Sequence, residues 1–142
     1  MDYLIHQLIN KNKCKDILEE ILLEKSSWED GKKTAGSHAS LVKNNLQLNK
    51  ESTAAINNSN EIVKLIQSDQ LTKSYCLPKR IHGLMFTRAS IGQGYGTHID
   101  NPYMKTGRSD LSFTIFLNNC DEYEGGELCI QTMQDSKEVK LN

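Results

Sequence analysis

The sequence predicts a domain of α+β or mainly β class, in which N-terminal helices cover one sheet. Helical apolar spacing is confined to the first half of the chain, and after Pro78 the apolar period shortens towards two. A chain of 142 residues is long enough for one hydrophobic core. We therefore predict two regions, an N-terminal helical and extended support region over 1–78 and a strand-rich core over 79–142.

Two helices are predicted in the support region. The first covers residues 11–25, with Asn10 or Asn12 as its N-cap, because four apolar side chains follow helical spacing there: Ile17, Leu18, Ile21 and Leu22. The second covers Glu51–Ser68, although the Asn-rich run at 57–60 weakens its middle. Between them, residues 26–50 are rich in Gly, Ser, Asn and Lys, and we expect an extended, partly looped segment.

Three strands are predicted in the core region, over Arg80–Ser90, Asp110–Leu117 and Glu127–Gln131. Glycines separate them, at 92 and 94 after the first strand and at Gly125 and Gly126 before the third. The last two glycines are expected to form a turn with positive φ. Because helices come first and strands last, the order favours helices packed on an antiparallel sheet over alternating βαβ units.

Composition excludes several classes of function. The 17 Lys and Arg residues nearly balance the 18 Asp and Glu residues, so we expect neither nucleic acid nor a membrane as a partner. No apolar run approaches the roughly 20 residues of a membrane span, and the first residues lack a secretory signal pattern, so we expect a cytoplasmic protein. The four cysteines are scattered without a C-x-x-C pair and are predicted to be reduced.

The segment GQGYGTHIDN, residues 92–101, carries the candidate chemistry. His98 and Asp100 stand two residues apart, so in an extended backbone their side chains lie on the same face. Imidazole and carboxylate are the ligand types that hold ferrous iron in the two-His-one-carboxylate arrangement. The alternative is a loop histidine beside a turn aspartate. A phosphate-binding loop is disfavoured, because no clear helix and no Lys-Ser or Lys-Thr pair follows the glycines.

Longer stretches around this motif carry a resemblance. They are FTRASIGQGYGTHIDN (86–101), RSDLSFTIFLN (108–118) and DEYEGGELCIQ (121–131), with WEDGKKTAGSHASLVKNN (28–45) upstream and VKL (139–141) at the close. In order and spacing they resemble the PKHD-type hydroxylases of bacteria and their phages. These are a branch of the iron(II)/2-oxoglutarate-dependent oxygenases, related to prolyl 4-hydroxylases.

The resemblance implies a fold and an activity. It makes His98 and Asp100 the catalytic iron ligands, inside a double-stranded β-helix, or jelly roll, with the N-terminal helices packed on it. It implies a dioxygenase that uses Fe(II) and 2-oxoglutarate, with ascorbate as an additional ligand. Such an oxidoreductase hydroxylates a C–H bond of a small-molecule or peptidyl substrate and releases succinate and CO2.

Three further residues are candidates for binding the co-substrate 2-oxoglutarate. Tyr95 keeps an aromatic ring ahead of the iron motif and lines the pocket or simply packs. Arg88 pairs with a substrate or structural carboxylate, or ends a strand in solvent. Thr114 alternates with apolar neighbours and can hydrogen-bond a ligand if its face of the strand points inward. Lys43 lies in the matching N-terminal text and is expected to border the substrate entrance, as are Trp28 and Asn44.

Two departures from the family pattern affect these expectations. The resemblance implies a second histidine ligand well downstream, followed by a basic residue, usually arginine, that pairs with the far carboxylate of 2-oxoglutarate. Here no histidine follows Asp100, and the last arginine is Arg108. Ala89 stands where the resemblance implies a tyrosine. We therefore expect a fragment or shortened copy whose jelly roll lacks its C-terminal strands, with a homo-oligomer or a partner covering the open edge. The alternative is a catalytically inactive or incomplete jelly-roll module that serves binding or assembly.

Overall fold

A computed structural model describes residues 3–104 and 107–141 of the chain. The chain divides into two compact units, which we call unit 1 (Met1–Trp28 and Leu48–Phe86) and unit 2 (Glu29–Gln47 and Thr87–Asn142). Each unit is assembled from two stretches that are distant in sequence. The boundary predicted between residues 78 and 79 stays a prediction.

The first helix of unit 1, α1 (Lys11–Leu23), confirms the helix expected over 11–25. It begins after Asn10, whose side-chain oxygen accepts a hydrogen bond of 2.9 Å from the Lys13 amide. Ile17 and Ile21 are 0% and 3% exposed, so the predicted apolar stripe faces the core of unit 1. Leu22, which belongs to the same stripe by spacing, is exposed.

The second helix, α2 (Thr53–Ser68), starts two residues later than predicted because Ser52 acts as its N-cap and accepts from the Ala55 amide. The Asn-rich run does not interrupt it. Asn58 is 2% exposed and donates to Glu20 Oε2 at 2.8 Å and to the Ala54 carbonyl at 2.9 Å. These two bonds satisfy the buried amide group and keep the helix continuous.

A third helix, α3 (Gln70–Cys76), follows directly and was not predicted. Its N-cap is Asp69, whose carboxylate accepts from the Thr72 amide at 2.7 Å and lies 3.1 Å from His6 Nε2. The hydrogen bond from the Thr72 amide lowers the pKa of Asp69 from 3.8 to about 2, and the contact with His6 adds to the shift. Apolar periodicity cannot identify a helix of two turns whose side chains are not buried.

Unit 2 contains short strands, two of which extend by one residue into unit 1, and 3-10 helices at Gly31–Thr34, Ala39–Leu41 and Cys120–Glu122. In chain order, the strands are β1 (Trp28–Asp30), β2 (Lys43–Asn44), β3 (Leu46–Leu48), β4 (Thr87–Arg88), β5 (Gly94–Tyr95), β6 (Tyr103–Met104), β7 (Gly107–Arg108), β8 (Leu128–Gln131) and β9 (Ser136–Val139). The sheet orders are β1-β3-β4, β2-β5, β6-β7 and β8-β9. The pairs β2-β5, β3-β4, β6-β7 and β8-β9 are antiparallel.

The predicted strands are confirmed in part. The strand over Glu127–Gln131 is present as β8, after a turn in which Gly125 and Gly126 have φ of 69° and 73°. The strand over Arg80–Ser90 shrinks to the two residues of β4. The strand over Asp110–Leu117 is wrong, because within the described residues this segment pairs with no neighbouring strand.

The α+β class is confirmed, whereas the residues that the structure describes contain no closed barrel. Buried apolar side chains belong almost entirely to unit 1, and Val139 is the buried apolar residue of unit 2. Several large apolar side chains of unit 2 are instead exposed: Ile91, Ile99, Tyr103, Leu111, Phe113 and Met133.

The four cysteines are reduced thiols, as predicted. Within 3–104 and 107–141, no helix combines the length and apolarity needed to cross a membrane.

Candidate functional site

The loop that carries His98 is anchored to strand β2. Strand β5 pairs with β2 so that Tyr95 lies opposite Lys43. Immediately after β5, the Gly96 amide donates a hydrogen bond of 2.8 Å to the Val42 carbonyl. A Cβ on Gly96 would lie 3.0 Å from Val42 Cβ, so the absence of a side chain permits this close approach.

His98 and Asp100 lie side by side, as their spacing predicted. His98 Nε2 is 3.4 Å from Asp100 Oδ1, and the two side chains are 25% and 66% exposed. The other ring nitrogen, Nδ1, is 2.8 Å from the Gly96 carbonyl oxygen. Because a carbonyl oxygen only accepts, Nδ1 carries the proton, and in the neutral imidazole Nε2 keeps its lone pair on the side of Asp100.

This pair fits two positions of a metal site. The pair brings an imidazole nitrogen and a carboxylate oxygen to 3.4 Å from each other, and these are donor types that would hold ferrous iron. The bond from Nδ1 to a backbone carbonyl is the usual outer contact of a metal-binding histidine. Among residues 3–104 and 107–141, however, no group of three or more His, Cys, Asp or Glu side chains could hold a metal ion. The described residues therefore bring together two side chains of the types that hold ferrous iron, with no third such side chain grouped with them.

Tyr95 lies against the imidazole of His98. The two ring centroids are 3.7 Å apart with an interplanar angle of 14°, which is a stacked arrangement. Burial raises the pKa of Tyr95, and the Asp100 carboxylate adds to that shift. The phenol therefore stays protonated at neutral pH and presents an O–H group beside the candidate metal ligands.

Lys43 is the residue of this region whose environment the sequence did not reveal. It is 3% exposed, its ammonium Nζ lies 4.9 Å from the centroid of the Tyr95 ring, and it donates to Thr34 Oγ1 at 3.3 Å. Burial lowers the pKa of Lys43, while the negative charge of Asp30 acts in the opposite direction. The structure places Lys43 inside unit 2, and the expectation that it borders a substrate entrance stays a prediction.

Burial alternates along β2 and β3, and the sequence carried no signal of this buried face. Lys43, Asn45 and Gln47 are 3%, 8% and 8% exposed, whereas Asn44 between them is exposed. A period of two therefore runs through this segment with polar residues on the buried side. Apolar periodicity, which we used to predict strands, does not detect such a pattern.

A cleft of about 240 Å³ adjoins Asp100 within unit 2. Its lining consists of two stretches, residues 99–102 and 109–112. Beside it, the guanidinium of Arg108 lies 2.6 Å from the Asp110 carboxylate and compensates the charge of Asp110. The other carboxylate of the cleft, that of Asp100, lies instead beside the His98 imidazole.

The remaining predicted site residues, Arg88 and Thr114, belong to other segments of unit 2. Arg88 is exposed in β4, opposite Leu46. Thr114 is exposed in the irregular segment where a strand was expected. The contacts that His98 makes with Gly96, Asp100 and Tyr95 involve neither of them. Their roles in binding the co-substrate stay predictions.

Comparison with known proteins identifies relatives along the whole chain, although no family model matches it. A PKHD-type hydroxylase of Prochlorococcus marinus strain MIT 9211 is 58% identical over 142 residues, 100% of this chain and 64% of that protein. The chain is a homologue of the PKHD-type hydroxylases. That of strain MIT 9313 is 55% identical over 141 residues, 99% of this chain and 64% of its own length. That of strain NATL1A is 54% identical over 142 residues, 100% of this chain and again 64% of its own. The resemblance to PKHD-type hydroxylases is confirmed, and the chain spans about 64% of the length of these relatives.

Proposed function

We propose that this chain carries part of the active site of a PKHD-type dioxygenase that depends on Fe(II) and 2-oxoglutarate. The reaction is hydroxylation of a C–H bond in a small-molecule or peptidyl substrate in the cytoplasm, with release of succinate and CO2. The observation that supports it is the pairing of His98 and Asp100, with Nδ1 of the imidazole held by the Gly96 carbonyl. This leaves one nitrogen and one carboxylate free to hold a ferrous ion from neighbouring positions.

Each residue of the site has a definite task in this proposal. His98 supplies Nε2, and Asp100 supplies a carboxylate oxygen. The cleft beside Asp100 receives the substrate, and Tyr95, Arg88 and Thr114 contact 2-oxoglutarate. When bound, the iron and its co-substrate supply the oxidising chemistry, with ascorbate as a reductant, while the protein orients the reacting groups.

The proposal requires groups that the described residues do not bring together with His98 and Asp100. A third iron ligand and a cation for the far carboxylate of 2-oxoglutarate would come from a longer protein or from a second subunit. The remaining strands of a jelly roll would also come from a longer protein or from a second subunit. The exposed apolar side chains of unit 2 offer a surface on which such strands or a partner can pack. A homo-oligomer would supply both the cover and the missing ligand.

An anaerobic titration tests the iron site directly. Fe(II) is added to the purified chain with and without 2-oxoglutarate, and the charge-transfer absorption of the chelated complex is recorded. We expect a band that depends on 2-oxoglutarate in the wild type and is lost in His98→Ala and in Asp100→Asn. The matched controls are His38→Ala and Asp121→Asn, which remove the same groups from exposed positions elsewhere in unit 2 and should keep the band. A band that persists in both site variants refutes the assignment.

A second candidate function is a non-catalytic module for binding or assembly. Two observations favour it: Ala89 stands where the resemblance implies a tyrosine, and the described residues provide no third ligand. This candidate predicts no 2-oxoglutarate-dependent band in the wild type. It also predicts that sedimentation shows a defined complex, and that charged substitutions at the exposed Phe113 and Leu111 dissociate it.

A further inference from the structure

The buried ammonium of Lys43 requires an explanation, because a lysine is rarely buried without a carboxylate in contact. The groups in contact with the ammonium are a hydroxyl, Thr34 Oγ1 at 3.3 Å, and an aromatic ring, that of Tyr95 with its centroid at 4.9 Å, and the charge of the Asp30 carboxylate also acts on it. The Thr34 hydroxyl in turn donates to Gln47 Oε1 at 2.6 Å, so it presents its lone pairs to Lys43. The ammonium is thus held in unit 2 by a hydrogen bond to Thr34, and the Tyr95 ring lies beside it.

The Tyr95 ring transmits this fixed position towards the candidate metal ligands. A cation within about 6 Å of a ring centroid attracts the ring, and the attraction grows when the cation is desolvated. The same ring stacks on His98 at 3.7 Å and 14°. The orientation of Tyr95 therefore restricts the plane of the imidazole.

The backbone contact that holds His98 depends on Val42, the residue next to Lys43. The Gly96 carbonyl accepts from Nδ1 of His98, and the Gly96 amide is held by Val42, the residue before Lys43. The neighbouring residues Val42 and Lys43 thus act on the imidazole through two routes, one through the Gly96 backbone and one through the Tyr95 ring. The first fixes the position of Nδ1 and the second limits rotation of the ring about it.

We propose that Lys43 is a positioning residue, whose buried ammonium holds the Tyr95 ring against His98 and thereby directs Nε2 of the imidazole towards Asp100. The inference rests on the proposed function for its chemical purpose, since a directed Nε2 matters for holding iron. The arrangement of the three side chains can be tested without any metal. Lys43 is not a catalytic residue in this proposal, because it acts through Tyr95.

The first test is an NMR spectrum of the imidazole C–H groups in protein labelled at histidine, without metal. The His98 signals are identified by their loss in His98→Gln, and the stacked Tyr95 ring should shift them upfield. We expect Tyr95→Leu to abolish the shift, Lys43→Met to reduce it strongly and Lys43→Arg to retain it, because a guanidinium also attracts an aromatic ring. Lys32→Met, at an exposed position in unit 2, is the matched control and should leave the shift unchanged.

The outcomes separate the two proposals. An unchanged upfield shift in Lys43→Met overturns the positioning role, and Lys43→Gln gives the same answer if the methionine variant does not fold. A titration with Fe(II) alone follows, in which we expect Lys43→Met to bind about 10-fold more weakly than the wild type, as for the loss of an outer contact of a metal ligand. If the wild type binds no Fe(II), the iron site of the proposed function is not formed by this chain alone, whereas the ring shift still decides whether Lys43 positions His98.

Discussion

Replacement of the buried Asn58 by Asp tests how α1 and α2 are joined in unit 1. The two side chains have nearly the same shape, but Asp lacks the amide group that donates to Glu20 Oε2 and to the Ala54 carbonyl. Losing a hydrogen bond to a charged acceptor costs about 1.5–3 kcal/mol, and losing a neutral one costs about 1 kcal/mol. We therefore expect the free energy of unfolding to fall by about 3 kcal/mol at neutral pH, before any repulsion between the two carboxylates is counted.

Urea denaturation at pH 7 measures this loss, followed by circular dichroism. The matched control is Asn57→Asp, which places the same charge at the adjacent, exposed position and should change stability by less than about 0.5 kcal/mol. Adding Glu20→Gln to Asn58→Asp supplies a new amide donor opposite the introduced carboxylate, and about half of the loss should return. A loss below about 1 kcal/mol in Asn58→Asp, or no recovery in the double variant, would refute the network.

Three further changes have definite expected outcomes. Ile17→Ala should lower the free energy of unfolding by about 2–5 kcal/mol and Ile17→Val by about 0.5–1.5 kcal/mol in the same urea assay, because the side chain is fully buried; equal losses would contradict its place in the core. The pKa of Asp69 is lowered to about 2, so its ionised form contributes stability above pH 3.8 that is lost as the pH falls towards 2. Melting temperatures across that range should fall more steeply in the wild type than in Asp69→Asn, and parallel curves would contradict the shift. Gly126→Ala should destabilise by about 1 kcal/mol or more, because φ is 73° and the added Cβ would lie 3.0 Å from the Tyr123 ring; a melting temperature equal to that of the wild type would contradict this turn geometry.

Local signals explain why the helices of unit 1 were predictable. The apolar spacing of α1 and α2 and their caps, Asn10 and Ser52, lie within the helices or directly beside them in sequence. A strand depends instead on a neighbour that is distant in sequence. The segment Asp110–Leu117 has the alternation of a strand, yet no partner pairs with it in the described part of the chain. Its residues therefore alternate as in a strand but form none in the described part of the chain.

In the candidate site, too, contacts between residues close in sequence could be predicted, whereas contacts between residues far apart in sequence could not. The contact between His98 and Asp100 follows from an offset of two residues, and the glycine at 96 that holds the imidazole is equally close in sequence. Lys43 lies more than fifty residues upstream of His98, and only the pairing of β2 with β5 brings it beside Tyr95. Its burial also contradicts the usual preference of lysine for the surface. Neither fact can be derived from the residues around the motif.

Polar contacts rather than a large apolar core determine the geometry of the site. Unit 2 has one buried apolar side chain in the described residues, Val139, so hydrophobic packing contributes little to the orientation of His98. The imidazole is held by one hydrogen bond, to the Gly96 carbonyl, and one ring contact, with Tyr95, and these two residues lie in or directly after strand β5, which pairs with β2. Because so few contacts hold His98, its loop can open locally at a low free-energy cost. A ligand that binds both His98 and Asp100 favours the closed arrangement by mass action, so order in this loop and affinity for the ligand depend on each other.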